Sequence, residues 1–452
     1  MTEITRRGFV AGCSAAIAAM AGSRFNTMAF ADPVENQEIL VVLFLRGGMD
    51  GLNFMPPIGG ADRGHYETAR PQLAVPASGT GAALPLGTDP FGLHPSAAPL
   101  HELYQDGRLA LVHAVGQGEA NRSHFDAMQF IELGTPGQKG TATGWLARYL
   151  ATASNLPSEI ILPSLAVGNL QTTSLLGDYE TVNMSSADQF NMNIGPWRWR
   201  PSQRQALRHL YQADTTWLHA SGLQALNAMD VVELNVGGDY VPSNGAVYPG
   251  GQFGDHLQLV ARMIKLDLGL TVATLDLGGW DTHNQQGSGS GGYFAGLVQE
   301  LAEGLAAFYT DLDGAGDQSF TGRLTVVVQS EFGRRFVQNA DVGTDHGFGN
   351  VMMVLGGHVN GGLHGSFPGL APGQLYEGID LAVTTNYRRV LSEILIRRMC
   401  NPNLGTIFPG YVGYTPLGVV QGPDLPPVVG DTIFTDDFES GDLSAWSRSE
   451  GG

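Results

Sequence analysis

Hydrophobic and polar positions alternate along this chain in two distinct rhythms. Short apolar, β-branched runs predict strands at Glu38 to Leu45, Leu109 to Val115, Ile160 to Val167, Leu270 to Leu277, Leu324 to Gln329 and Val351 to Leu355. The first of these is nearly continuous in apolar residues, as a strand buried on both faces requires. Between the runs lie helical stretches. One covers Ser96 to Asp106, behind Pro95 and stopped by Gly107; another opens at Ser123 and stops at Gly134; others cover Leu257 to Leu266 and Tyr293 to Leu312. Strands that alternate with helices predict an α/β fold, with a mostly parallel central sheet and helices on both faces.

Residues 171–252 break this rhythm and predict an inserted helical or irregular lid. The insertion holds Trp197-Arg198-Trp199-Arg200 and a helix opening at Pro201 that carries Arg204 and Arg208. Two readings stay open here: a cationic lid that draws in an anionic substrate, or a surface helix with snorkelling side chains and packed tryptophans. Past Leu417 a Pro/Gly-rich stretch, 418–430, reads as a linker. It precedes an acidic-aromatic tail, 431–452, with Phe434, Phe438 and Trp446.

The opening residues predict the place of work. Arg6-Arg7, the weakly apolar run Gly8 to Gly22, and Ala29-Phe30-Ala31 before Asp32 fit a twin-arginine signal peptide over residues 1–31. The expected partner in export is then the twin-arginine translocase, and the expected location is the periplasm or the cell surface. The main domain would span 32–417. No other stretch is long and apolar enough for a transmembrane segment in the mature chain. Loss of residues 1–31 removes three arginines and one glutamate, taking the formal charge from −19 to −21. Such a balance argues against nucleic acid and anionic lipid as partners. Of two cysteines only Cys400 remains after cleavage, so no disulfide within the mature chain is expected.

Candidate chemistry sits just after the predicted strands, where the loops of an open α/β sheet converge. Asp50 lies in a glycine-rich turn after the first strand. Asp281 and His283, two positions apart, follow Gly278-Gly279 and project to one side of an extended backbone. Glu331 follows a β-branched run and is flanked by Arg334-Arg335. Asp345 and His346 stand in a glycine-rich loop before another strand. Ser123 opens a helix in a capping-box-like Ser-x-x-Asp, where the structural reading is a helix cap and the same geometry suits a nucleophile, the two not being exclusive, with Arg122 and His124 beside it.

The ordered set LRGGMDGLN (45–53), FGLHP (91–95), NRSHFDA (121–127), GWL (144–146), GGWDTHN (278–284), SEFGRR (330–335) and GTDHGFGN (343–350) resembles the family called domain of unknown function 1501, from about Leu40 to Tyr411. That family is similar in fold to the alkaline phosphatase and sulfatase superfamily. The resemblance implies an alkaline phosphatase-like fold with one or two divalent metals, Zn²⁺ or Mn²⁺ by the ligand mixture, acting on a small-molecule or polymer ester of phosphate or sulfate. It implies Asp50, Asp281, His283 and His346 as metal ligands and Ser123 as nucleophile. Glu331 and Asp345 are further ligand candidates, Arg122 and His124 further catalytic ones, and Arg46, Asn53 and Arg334 candidates for holding substrate. Two other readings remain: a non-catalytic envelope or secretion-associated protein that keeps the fold and one metal, and an anion- or sugar-binding module using the arginine-bearing insertion.

Overall fold

The computed structural model describes residues 37–429 except 155, 157–161, 189, 191–196, 236–238 and 315–318. The expected signal peptide (1–31) and tail (431–452) lie outside the described residues, as do the first two positions of the strand predicted from Ile160.

The sheet strands are β1 (Ile39–Leu45), β4 (Leu109–Gly116), β5 (Ser164–Val167), β6 (Val182–Met184), β7 (Val272–Leu277), β8 (Leu324–Ser330), β9 (Asn350–Gly356), β10 (Gly362–His364) and β11 (Thr385–Asn386), and β2 (Leu84–Pro85) with β3 (Gly92–Leu93) forms a separate small ribbon. The main sheet has the order β10-β4-β9-β8-β1-β7-β5-β6, with β11 also on β4. β1 is central and parallel to both β7 and β8. β9 alone runs antiparallel, between β4 and β8. The sheet is therefore mixed and mostly parallel, of the α/β class.

The apolar run of β1 is legible as two interleaved sets. Ile39, Val41, Leu43 and Leu45 face one core, together with helices α8 (Gln252–Lys265) and α9 (Tyr293–Leu312). Leu40, Val42 and Phe44 face the other, with α5 (Trp145–Thr152) and α10 (Tyr387–Arg397). Period-two alternation with both faces covered makes every residue of β1 buried. Shorter or peripheral helices complete the layers: α1 (Gly51–Phe54), α2 (Gly60–Ala69), α3 (Ala98–Gln105), α4 (His124–Leu133), α6 (Arg200–Tyr211), α7 (Trp217–Asn235) and α11 (Leu404–Ile407). Among the described residues no helix is long and apolar enough to cross a membrane.

The insertion is attached through its charges. Arg204 pairs with Asp230 at 2.8 Å and with Glu233, while Arg208 donates to Asn227 at 2.7 Å and to Asp230, so both guanidinium groups are spent on pinning α6 to α7. These two arginines act as the snorkelling surface pair and do not form an open cationic lid. The end of the insertion docks on buried Asp311 of α9, which accepts hydrogen bonds from Tyr240 at 2.6 Å, Tyr248 at 2.8 Å and Lys265.

The expected linker 418–430 is a docked strap over its described part. Val419 and Val420 are fully buried, and the Glu393 carboxylate accepts the backbone N–H groups of Leu417, Gly418 at 3.0 Å and Val420 at 3.1 Å. Two valines and a buried acceptor outweigh the flexible composition around them.

Candidate metal centre

The site grows from the carboxyl edge of the sheet, where the loops after β1, β4, β7 and β8 meet. Because β9 is antiparallel, the loop from β8 to β9 leaves and returns at this same edge. One connection thus supplies Glu331, Asp345 and His346. The turn after β1 approaches the β7 loop so closely that a Cβ on Gly47, at φ 121°, would stand 2.5 Å from the Asp281 nitrogen, so only glycine fits. Arg334, fully buried, binds these loops together. It donates to Gly48 O at 2.6 Å, Thr344 O at 2.8 Å, Trp280 O at 3.0 Å, Gly47 O, and Asp281 Oδ1 at 2.6 Å.

Three imidazoles converge on one carboxylate oxygen. Asp281 Oδ1 lies 3.1 Å from His283 Nε2, 3.3 Å from His346 Nε2 and 3.4 Å from His124 Nε2. The opposite ring nitrogens are all tied to acceptors. His124 Nδ1 donates to Glu331 Oε1 at 2.6 Å, His283 Nδ1 to Asp345 Oδ1 at 3.0 Å, and His346 Nδ1 to the Arg122 carbonyl at 2.8 Å. A neutral imidazole with its proton on Nδ1 presents a bare lone pair at Nε2. His283 Nε2 and His346 Nε2 nevertheless stand 2.8 Å apart. Two lone pairs at that distance repel unless a cation lies between them. His124 Nε2 is buried and has no well-aligned hydrogen-bond partner, with Asp281 Oδ1 3.4 Å away.

These are the features of a metal centre. Ligand atoms of His124, Asp281 and His346 all fall within 4.8 Å of one another, with His283 against two of them. Donors about 2.1 Å from a shared ion stand about 3.0–3.4 Å apart, the spacing found around Asp281 Oδ1. Acceptors that fix each Nδ1–H orient the rings as metal-binding histidines require. Phe332 packs on two of them, with ring centroids 4.8 Å from His124 and 5.0 Å from His346. The residues present therefore fit a divalent cation. Asp281 is about half exposed (49%) whereas His124 is only 17% exposed, so the centre opens to solvent on the aspartate side.

Local electrostatics set the charge of each group. Burial alone would raise the Asp281 carboxyl, but the Arg334 hydrogen bond and charge, with His283 and His124, bring it down to about 2. Burial likewise pushes Glu331 upward, and the hydrogen bonds from His124, Ser330 and Gly47 reverse that shift. The Glu331 hydrogen bond raises His124, whereas burial lowers His346 and keeps it neutral.

The residues expected from sequence divide sharply. Asp281, His283 and His346 come together, and His124, expected as catalytic, joins them as a ligand candidate. Glu331 and Asp345 stand one layer out, each holding a histidine ring. Asp50 lies elsewhere: buried, it pairs with Arg70 at 2.6 Å, accepts from Gln286 at 2.7 Å, and caps α1 through Asn53 N at 3.3 Å. Its oxygens are satisfied by N–H donors, which corrects the expectation that it is a ligand. Asn53 binds Tyr66, Arg70 and the Leu73 carbonyl, and Arg46 pairs with Glu132 and Asp276, each at 3.0 Å. Both are scaffold groups, as is Arg334, and not free to hold substrate. Arg122 is spent on Asp380 and Glu377, leaving its carbonyl as its contribution to the centre. Ser123 is exposed and caps α4 by a long 3.5 Å contact from Asp126 N, so its hydroxyl is only loosely held. Arg335, visible in the sequence only as the second arginine beside Glu331 and not singled out as a site residue, has a buried Nε without a partner, and its charge acts on Asp345 and Asp380. Its place beside Arg334 in SEFGRR was the available signal.

A family model described as a protein of unknown function (DUF1501) matches residues 197–399, which include Asp281, His283, Glu331, Asp345 and His346 but not His124. The match supports the family resemblance over less than half of the chain. No curated protein matches the sequence.

Proposed function

We propose that the chain is an exported, metal-dependent hydrolase of a phosphate or sulfate ester, with His124, Asp281 and His346 holding one divalent cation, Zn²⁺ or Mn²⁺, and His283 completing the set. The observation that carries the metal is the convergence of three Nδ1-anchored imidazoles on Asp281 Oδ1, two of them with their lone pairs face to face. When bound, such a cation polarises an ester oxygen and makes a nearby hydroxyl or water easier to deprotonate. The ester class and export through the twin-arginine route rest on the family resemblance and on Arg6-Arg7.

The chain's own residues have assignable parts. Glu331, Asp345 and the Arg122 carbonyl hold the three rings in one tautomer. Arg334 fixes Asp281 from below, leaving its exposed side toward solvent and substrate. Ser123, next to His124 at the start of α4, is the nucleophile in this reading, with helix N–H groups behind it for an anion. Arg335 is the guanidinium closest in chemistry to an anion-binding role.

Metal content by mass spectrometry and turnover of 4-nitrophenyl phosphate and 4-nitrophenyl sulfate test the reading together. Full-length protein should retain close to one ion per chain and turn over one of the two esters. His346→Ala should lose the ion. Ser123→Ala should keep it and lose turnover. An ion held without turnover of either ester would replace this reading with the non-catalytic one.

A further inference from the structure

A second cavity opens at the same sheet edge, beside the metal centre. It has a volume of about 480 Å³ and is lined by the last residues of β5 and β7, Val167-Gly168 and Leu277-Gly278, and by groups from α8 and α9. Gly278, in the cavity wall, is three residues from Asp281, so their Cα atoms are no more than about 11 Å apart. Tyr293, about half exposed, reaches the same connection, its hydroxyl 2.8 Å from where a Cβ on Gly279 would be.

The lining has the chemistry of hydroxyl recognition. His256 is 92% buried, lines the cavity, and has no hydrogen-bond partner for its ring among the described residues. Its ring nitrogens are not shut off from solvent, so a ligand hydroxyl that accepts from one or donates to the other takes the place of water there. Burial lowers its proton affinity, so it is a neutral donor and acceptor. Glu300 faces the same space, with burial the one cause that raises its pKa and no cation offsetting it. Asp276 is paired with Arg46 at 3.0 Å, a guanidinium it shares with Glu132. Asn169 adds an amide and Thr172 a hydroxyl shared with Ser174 and Thr274, and Leu170 and Phe253 add apolar surface to the lining.

No lysine or arginine lines this cavity, and the uncompensated carboxylate of Glu300 repels an anion. The charged end of an ester is thus excluded from it, whereas paired donors and acceptors over an apolar wall match a sugar ring. We propose that this cavity is a sugar subsite, which takes the uncharged, hydroxyl-rich part of the ester whose anionic group sits at the metal centre. The inference rests on the hydrolase reading for its connection to the centre, and on the cavity alone for sugar binding.

The test separates the two. Full-length protein, metal-loaded and metal-stripped, is titrated with glucose, galactose, mannose, N-acetylglucosamine and maltose, and with choline as a cationic contrast, by ligand-observed NMR. At least one sugar should bind saturably to both forms. Glu300→Leu and the exposed-site change Asn169→Leu should each weaken that binding tenfold or more while metal content stays unchanged. Absence of binding by every sugar, choline binding in their place, or sugar binding that neither variant weakens would overturn the subsite. Loss of the hydrolase reading would show separately, as missing metal or missing ester turnover with sugar binding intact.

Discussion

Two carboxylates at the same sheet edge, Asp50 and Asp281, carry the same charge into opposite surroundings. Around Asp50 every near neighbour is an N–H donor: Arg70, the Gln286 amide and the Asn53 backbone. Around Asp281 Oδ1 one guanidinium is joined by three imidazole nitrogens whose protons are on their far sides. The first carboxylate is complete as it stands. The second is surrounded by imidazole nitrogens in a spacing that fits a cation. Gln286 links the two corners, donating to Asp50 and accepting from Thr282 at 2.9 Å and Thr344 at 2.9 Å, beside the ligand loops.

That contrast is sharpened most by removing each carboxylate in turn. Asp50→Ala leaves Arg70 buried without its counter-charge and should cost about 3–5 kcal/mol of stability. Metal binding by whatever protein still folds should persist. Asp281→Ala removes one charged hydrogen bond among several on Arg334, about 1.5–3 kcal/mol, yet should abolish metal retention. Denaturant unfolding paired with metal analysis checks both, and equal metal loss in the two variants would put Asp50 back in the centre.

A smaller effect is expected one layer out. Glu331→Gln keeps the shape but weakens the grip on His124 Nδ1, and should reduce metal affinity by about 10–100-fold without removing the site. Competition with a chromogenic chelator measures this. An unchanged affinity would mean that His124 is not a ligand. The smallest effect belongs to Ser123→Ala, where a cap contact of 3.5 Å is lost. Its stability cost should be at the low end of cap substitutions, about 0.5 kcal/mol, and a cost several times larger in thermal unfolding would show Ser123 to be mainly structural.

Much of this architecture was legible in the sequence because the signals were local. The helix Tyr293–Leu312 begins and ends where its apolar pattern does, and Ser123 and Gly134 bracket α4 as cap and left-handed stop. The direction of β9 was not legible, since a fully buried strand has the same apolar run whichever way it points. The roles of Asp50 and Asp281 could not be told apart either. Both are carboxylates after a strand and near glycines, and the partner that decides Asp50, Arg70, comes from the end of a helix with no motif around it. His124 was visible in NRSHFDA, but one residue after a serine at a helix start it drew a catalytic reading. The docked strap at 418–429 was hidden by composition: Val419 and Val420 sit among prolines and glycines, and their acceptor, Glu393, is on another helix.

The anchoring contacts of the three histidines also set when an ion can be captured during folding. His124 meets Glu331 across 207 positions of chain, and His346 meets the Arg122 carbonyl across 224. No short segment of the polypeptide carries enough of the ligand set to hold a metal alone, and the anchors are as non-local as the pairing of the central strands. On the proposed metal reading, an ion would bind the finished sheet in preference to its fragments, and loading would pull the folding equilibrium toward the native state by mass action, by about 2.7 kcal/mol at a free concentration one hundred times the dissociation constant.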